Sequence, residues 1–86
     1  MSVYVDALAE RGWRLGPSCH LIADTVEELH AFATRLGMKR AWFQPESTPH
    51  YDLTEGRRIL AMRLGAVELD RLSLVRKLRE LRSGLA

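Results

Sequence analysis

The stretch "CHLIADTVEELHAFATRLG" (residues 19–37) decides the fold of this chain, because it passes from one regular element to another. Its first residues, "CHLIA" (19–23), form a short apolar run that predicts a strand. Over residues 25–36 the apolar side chains recur at helical spacing, which predicts an amphipathic helix. Asp24 or Thr25 caps the start of this helix, and a glycine ends it. The stretch therefore predicts a strand that is joined to a helix by an acidic turn.

A second stretch further along the chain repeats this order. The segment "ATRLGM" (33–38) matches "AMRLGA" (61–66), and each ends a predicted helix that follows a strand and an acidic turn. Two origins fit the match, an internal duplication or the common use of glycine after a helix. In both cases the order predicts βαβ connections and a sheet that is at least partly parallel.

The other segments complete one small domain of 86 residues. Turn-forming residues predict a loop at 7–18 and another at 45–49. Strands are predicted at 2–6, 19–23 and 40–44, shorter extended pieces at 50–53 and 66–69, and helices at 25–36, 55–64 and 71–82. The predicted fold class is therefore α/β, a small single-layer, partly parallel sheet that is built from βαβ units and carries about three helices.

The composition is that of a folded domain, with 47% apolar and 28% charged residues. The chain has one cysteine, Cys19, which excludes an intrachain disulfide and a cysteine-rich zinc site and favours a reducing compartment. It shows neither a signal-peptide pattern nor the roughly 18 apolar residues that a membrane span needs. We therefore expect a cytoplasmic protein that does not enter membranes. Because so small a chain often completes its core with a partner, we also expect a homodimer.

The charges are unevenly distributed along the chain. Residues 1–53 carry five basic and seven acidic side chains, whereas residues 54–86 carry eight basic and four acidic ones. A basic last third suits binding to a polyanion such as nucleic acid. The alternative is an arginine-rich helix face that is simply solvated.

Histidine and aspartate side chains cluster where the predicted strands end. Because side chains alternate along a strand, His20 shares a face with Asp24, and His50 shares a face with Asp52. Asp6 ends the first predicted strand. Imidazole and carboxylate groups together can hold a divalent metal ion or act as general base and acid. We predict that His20, His50 and Asp52 lie close enough to share one ligand, with Asp6 at its edge.

Purely structural roles for these residues remain open as alternatives. Asp24 is a good helix cap, and His20 can be a half-buried strand residue that is bonded to the backbone. The spacings belong to no specific metal motif, and the chain has no glycine-rich phosphate loop, nucleophile elbow or H-E-x-x-H sequence. Arg57 and Arg58 stand in the first turn of a helix, where cations oppose the helix dipole, so they favour a bound anion nearby.

The segments "VYVD" (3–6), "CHLIAD" (19–24) and "HYDLT" (50–54) resemble a bacterial and phage family that is catalogued as domain of unknown function 4031. The resemblance covers about residues 3–80. It implies that the following residues matter: Tyr4, Asp6, Cys19, His20, Asp24, His50, Tyr51, Asp52 and Arg58. It implies no particular reaction, because the family has no assigned activity.

Two functions are consistent with these features. The first is a binding protein whose His/Asp site takes an anionic or phosphate-bearing ligand, a nucleotide or nucleic acid included. The alternative is a metal-dependent phosphoester hydrolase with nucleotide or nucleic-acid substrates, in which His20, His50 and Asp52 are catalytic. These three and Asp6 would hold a divalent metal ion. The predicted ligand contacts are Tyr4, Tyr51, Arg57 and Arg58, since guanidinium groups pair with phosphate.

Overall fold

The computed structural model describes residues 2–84 of the chain. Its elements, in chain order, are β1 (Val3–Val5), β2 (Ser18–Ala23), α1 (Val26–Arg35), a 3₁₀ turn (Arg40–Trp42), β3 (Tyr51–Thr54), α2 (Glu55–Arg63), β4 (Val67–Glu68) and α3 (Arg71–Gly84). Among these described residues, no helix has the length and apolar character that crossing a membrane requires.

The four strands form one mixed sheet in the order β3-β2-β1-β4. β2 is antiparallel to both of its neighbours, and β4 is parallel to β1. It follows that β3 and β4, at opposite edges, run in the same direction and are joined across the sheet by α2. The predicted α/β class with a partly parallel sheet and about three helices is confirmed. The parallel crossover is β3–α2–β4, whereas α1 connects the antiparallel neighbours β2 and β3.

The strand predicted at 40–44 is wrong, because residues 40–42 form the 3₁₀ turn. The run "AWF" (41–43) suggested a strand by its apolar character, yet Trp42 is 43% exposed. The sheet position beside β2 belongs instead to β3, whose alternation buries Tyr51 and Leu53. The short extended piece predicted at 50–53 is therefore the true third strand.

The two faces of the sheet differ in chemistry because side chains alternate along each strand. On β1, β2 and β3, odd-numbered residues face α1 and α2 and form the core, in which Val5, Cys19, Leu21 and Leu53 have no exposed surface. Even-numbered residues of these three strands face the other way, among them Tyr4, His20, Ile22 and Asp52. On β4 the order is reversed, since Val67 pairs with Tyr4. The polar residues that the sequence analysis selected therefore lie mainly on the face opposite the core.

The last helix, α3, lies against this even-numbered face. The Lys77 Nζ is 2.7 Å from Asp24 Oδ1 and 4.7 Å from the ring centroid of Tyr4. The hydrogen bond to Asp24 raises the pKa of Lys77, although desolvation opposes this effect. Asp24 therefore anchors α3, and Thr25 is the residue that caps α1, through a hydrogen bond from the Glu28 N–H. One of the basic groups of α3 is thus used within the fold.

We predict that Asp24→Asn lowers the free energy of unfolding by about 1 kcal/mol, the usual scale for a partly exposed, charge-assisted hydrogen bond. Urea denaturation would measure this loss. Lys77→Met should add little in the Asp24→Asn background, because the two residues act as a pair. Additive losses in this cycle would contradict the anchoring role. Glu80→Gln is the matched control, since the Glu80 side chain that contacts Lys77 is 70% exposed.

Candidate functional site

The register of the sheet sets three polar side chains in one row. His20 on β2 lies directly opposite Asp52 on β3. On the other side of β2, Val5 pairs with Leu21, so the next residue, Asp6, comes beside His20. All three positions are even-numbered and face away from the core. The row therefore crosses three adjacent strands on one face of the sheet.

A β-bulge follows the end of β1. Val5 pairs with Leu21, but the next main-chain bridge joins Ala9 to Ser18, so the first segment contains one extra residue. At this bulge the Asp6 side chain takes the place of a main-chain carbonyl as hydrogen-bond acceptor: its Oδ1 accepts a hydrogen bond from the His20 N–H at 2.6 Å. The bulge thus brings a carboxylate into the ladder next to His20.

Asp6 also orients the His20 ring. The His20 Nδ1–H donates to Asp6 Oδ2 at 2.7 Å, and the Asp6 side chain is 8% exposed. Burial raises the pKa of Asp6, but the hydrogen bonds from His20 outweigh it and hold the pKa below its ordinary value. The same side-chain hydrogen bond raises the pKa of His20, against the opposing effect of burial. With both oxygens bonded to His20, Asp6 is placed to position the ring.

His50 is held by the loop that precedes β3. Its main chain pairs with Gln44 in both directions, at 2.9 and 3.0 Å, which closes residues 44–50 into a loop. Its ring donates from Nδ1 to the Thr48 main-chain oxygen at 2.8 Å. The ring therefore has one nitrogen engaged and Nε2 left to bind a ligand.

His20, His50 and Asp52 come together into one cluster. Each offers a ligand atom that lies within 4.8 Å of those of the other two. The two imidazole rings meet edge to face, with centroids 5.3 Å apart, and the His50 Nε2 is 3.7 Å from Asp52 Oδ1. The predicted juxtaposition of these three residues is present in the structure, and Asp6 lies behind His20, outside the group.

The donor set fits a divalent transition metal ion. Two imidazoles and a carboxylate suit Zn²⁺, Mn²⁺ or Fe²⁺, and a ligating histidine usually donates its other N–H to a carboxylate or carbonyl, as both rings do here. The Gln44 Nε2 donates to Asp52 Oδ2 at 2.6 Å, so Oδ1 is the oxygen left for a metal. Ligands about 2.1 Å from a tetrahedral ion lie about 3.4 Å apart, so ligand atoms that are as much as 4.8 Å apart would need to approach by roughly 1.4 Å.

The two tyrosines that were predicted as ligand contacts do not join this cluster. Tyr51 is an odd-numbered residue of β3, is 1% exposed in the core, and hydrogen-bonds through its hydroxyl to His30 at 2.7 Å. Tyr4 lies on the right face but donates to Asp24 and contacts Lys77 with its ring. Both tyrosines therefore stabilise the packing of helices on the sheet.

The two arginines at the start of α2 have different positions. The Arg58 Nε donates to the main-chain oxygen of Asp6 at 2.9 Å, and its guanidinium forms an ion pair with Glu68. Arg58 thus connects α2 to β1 and β4. The sequence analysis predicted it as a ligand contact, but its guanidinium is not turned towards the cluster. Arg57 stacks on Trp42, with its Cζ 5.4 Å from the ring centroid, and lines a groove that also contains Asp52.

Cys19 is excluded from the site by its position. It faces the core, on the opposite side of β2 from His20, and has no exposed surface. Burial raises the pKa of its thiol to about 12. A thiol of this kind is neither a ready nucleophile nor a ready metal ligand.

Gln44 and Thr48 are site residues that the sequence analysis missed. Each supports a cluster residue, Gln44 through its amide and Thr48 through its main-chain oxygen. A loop that closes back on the start of a strand leaves no periodic signal in the sequence, so no pattern pointed to either residue.

These features define a small α/β protein with a half-buried cluster of two histidines and one carboxylate. The chain belongs to the family described as Protein of unknown function (DUF4031), whose model matches residues 3–81. The resemblance seen in the sequence is thereby confirmed. The chain has no significant match among curated proteins or among solved structures.

The Asp6–His20 pair predicts a particular dependence of stability on pH in metal-free protein. The raised pKa of folded His20 contributes stability that is complete below 6.5 and is lost as the pH rises through that raised value. The lowered pKa of Asp6 contributes stability that is complete above 3.8 and is lost as the pH falls through the lowered value. The pair therefore stabilises most between these two limits.

We expect Asp6→Asn to reduce the free energy of unfolding most near pH 5 and less near pH 8.5, as measured by denaturation in EDTA. The NMR titration midpoint of His20 should be lower in Asp6→Asn than in the wild-type protein, because an amide cannot stabilise the imidazolium as a carboxylate does. An unchanged midpoint would contradict the positioning role of Asp6.

Proposed function

We propose that this protein binds a divalent transition metal ion through His20, His50 and Asp52, and that the metal ion binds a phosphate-bearing ligand. The proposal rests on which atoms of these three side chains are hydrogen-bonded to the protein and which are not. The Nδ1 atom of each ring and the Oδ2 atom of Asp52 are engaged with protein groups. The two Nε2 atoms and Oδ1 are left within one half-buried cluster, which is the arrangement of a prepared metal site.

A small cavity of about 180 Å³ beside the two histidines supports the phosphate part of the proposal. Arg82 of α3 lines this cavity, and its guanidinium is suited to pair with phosphate. Thr48 also lines it, and its Oγ1 is the buried side-chain polar atom without a hydrogen-bond partner among the described residues. An unsatisfied buried hydroxyl is costly unless a ligand completes it. Ile22, Leu74 and Leu78 form the apolar part of the cavity wall. The Arg82 guanidinium therefore favours an oxygen-rich anion next to the metal, and an anion that reaches the Thr48 hydroxyl would satisfy it.

Phosphoester hydrolysis is a second candidate function, and the number of protein ligands favours it. Catalytic metal sites commonly use three protein ligands and keep a position open for water or substrate. A divalent metal ion in such a position lowers the pKa of bound water and stabilises charge on a phosphoryl oxygen. His20, His50 and Asp52 would hold that ion, and Arg82 would neutralise charge on the phosphate.

The metal site is tested by titrating Zn²⁺ or Co²⁺ into EDTA-treated, dialysed protein by calorimetry and thermal shift. At 100 times its dissociation constant the metal should stabilise the wild-type protein by about 2.7 kcal/mol. His50→Ala and Asp52→Asn should each remove this effect. His30→Gln is the matched control, because that imidazole bonds to Tyr51 in the core, on the other face of the sheet. Equal metal affinity in wild type and His50→Ala would contradict the proposal.

The phosphate part is tested with inorganic phosphate added to the metal-loaded protein. Thr48→Val keeps the shape of the side chain and the main-chain oxygen that holds His50, but removes the hydroxyl. We expect it to weaken phosphate binding about fivefold, the effect of one lost hydrogen bond of about 1 kcal/mol, while metal affinity stays unchanged. Phosphate affinity that is the same in wild type, Thr48→Val and Arg82→Gln would contradict the placement of the anion.

Hydrolysis is tested separately with a chromogenic phosphodiester and the matching monoester in the presence of each metal. Turnover that requires metal and disappears in Asp52→Asn would support the hydrolase function. Metal and phosphate binding without turnover of either ester would contradict that function and support a role in binding alone.

The homodimer, the cytoplasmic location and nucleic-acid binding by the basic last third stay predictions. Apolar side chains are exposed on α2, namely Ile59, Leu60 and Met62, and a second copy of the chain would cover them. Light scattering of the purified protein would decide its oligomeric state.

A further inference from the structure

We infer that a groove beside the cluster binds the base of a nucleoside phosphate, and that this base and the metal-bound phosphate belong to one ligand. The inference rests on the proposed metal site and adds the class of its ligand. The groove has a volume of about 510 Å³ and lies between the β1–β2 connection, the 3₁₀ turn and the start of α2. This volume is in the range of small-molecule sites and suits a mononucleotide.

Two partly exposed tryptophans make the groove aromatic. Trp13 and Trp42 line it and are 37% and 43% exposed, although tryptophan side chains are usually among the most buried. An exposed indole offers a flat apolar surface on which any nucleobase can stack. Leu15 and Met38 complete an apolar wall around them. The groove therefore prefers a planar, aromatic group to a flexible aliphatic one.

Positive charge surrounds the indole of Trp42. The Arg57 Cζ lies 5.4 Å from its ring centroid, and the Lys39 Nζ lies 5.8 Å from it. Both cations lie over the ring of Trp42, so a base that stacks there displaces one of them, and the displaced cation stays close enough to attract the phosphate attached to that base. An aromatic surface flanked by two cations thus matches a ligand that joins a base to a phosphate.

The groove and the metal site share Asp52. Asp52 lines the groove and is also one of the three cluster residues, and Gln44 lines the groove while it holds Asp52. Without a metal ion, the Asp52 carboxylate repels phosphate. With a divalent cation bound, the local charge becomes attractive. Nucleotide affinity should therefore increase when metal is added, whereas the affinity for a neutral nucleoside should not.

Intrinsic fluorescence provides a direct measurement, since Trp13 and Trp42 are the two tryptophans of the chain. The probes are inorganic phosphate, adenosine, AMP and a short single-stranded oligonucleotide, each titrated with and without Zn²⁺. We expect AMP to quench the fluorescence and to bind the zinc-loaded protein at least tenfold more tightly than inorganic phosphate. Tighter binding of the oligonucleotide than of AMP would identify a nucleic-acid strand as the source of the nucleotide, and equal or weaker binding would identify a free nucleotide.

Three variants locate the base and the charge. Trp42→Leu should weaken AMP binding about tenfold, the scale of losing one stacked base, and leave zinc affinity unchanged. Arg57→Gln should weaken the binding of AMP but not of adenosine. Arg63→Gln, at the exposed end of the same helix, is the matched control and should change neither. Trp13→Leu repeats the stacking test at a second position if Trp42→Leu does not fold.

The outcomes separate this inference from the proposed function. Zinc and phosphate binding without preference for AMP, or with equal AMP affinity in the wild type and both tryptophan variants, would overturn the nucleotide inference and leave the metal site supported. A wild-type protein that does not bind zinc would overturn the proposed function itself.

Discussion

Two hydrogen bonds from His20 to the Asp6 carboxylate connect parts of the molecule that are far apart in the sequence. One closes the ladder between β1 and β2 at the bulge, and the other fixes the ring of His20. The main-chain oxygen of Asp6 accepts a hydrogen bond from Arg58, which connects α2 to the sheet. A buried carboxylate is costly unless its oxygens are satisfied, and here the sheet and the imidazole satisfy both of them. The Asp6 carboxylate thus determines both the orientation of the His20 ring and the path of the chain after β1.

The fold was largely predictable because its main signals are local. The short apolar run "CHLIA" and the helical spacing in the next segment predicted β2 and α1 nearly at their observed bounds. A threonine cap also starts α2, where the Thr54 hydroxyl accepts a hydrogen bond from the Arg57 N–H. The strand prediction at 40–44 failed because Ala41 and Trp42 line a groove, and only Phe43 also packs against the core. Periodicity records that a residue is apolar, but not which of these two surfaces it covers.

The site was predictable only in part. The alternation that places His50 and Asp52 on one face of β3 also places Tyr51 on the other face, so its burial was implicit in the same pattern. The pairing of His20 with Asp52 required the strand order, which no local pattern contains. The contributions of Gln44, Thr48 and Arg82 depend on how a loop and the last helix fold back over the sheet. Such long-range contacts leave no mark at fixed spacing in a single sequence.

The bulge after β1 separates two parts of the chain that differ in how far their sequence and length can change without disturbing the sheet. The ladder on either side of it fixes Asp6 and His20, so the strand positions that hold the cluster tolerate neither insertion nor deletion. The connection beyond the bridge between Ala9 and Ser18 carries Trp13 and has no sheet register to keep. Its length and side chains can therefore vary among relatives without moving the histidines. A chain of this design can acquire new ligand preferences by exchanging one loop while its polar centre stays the same.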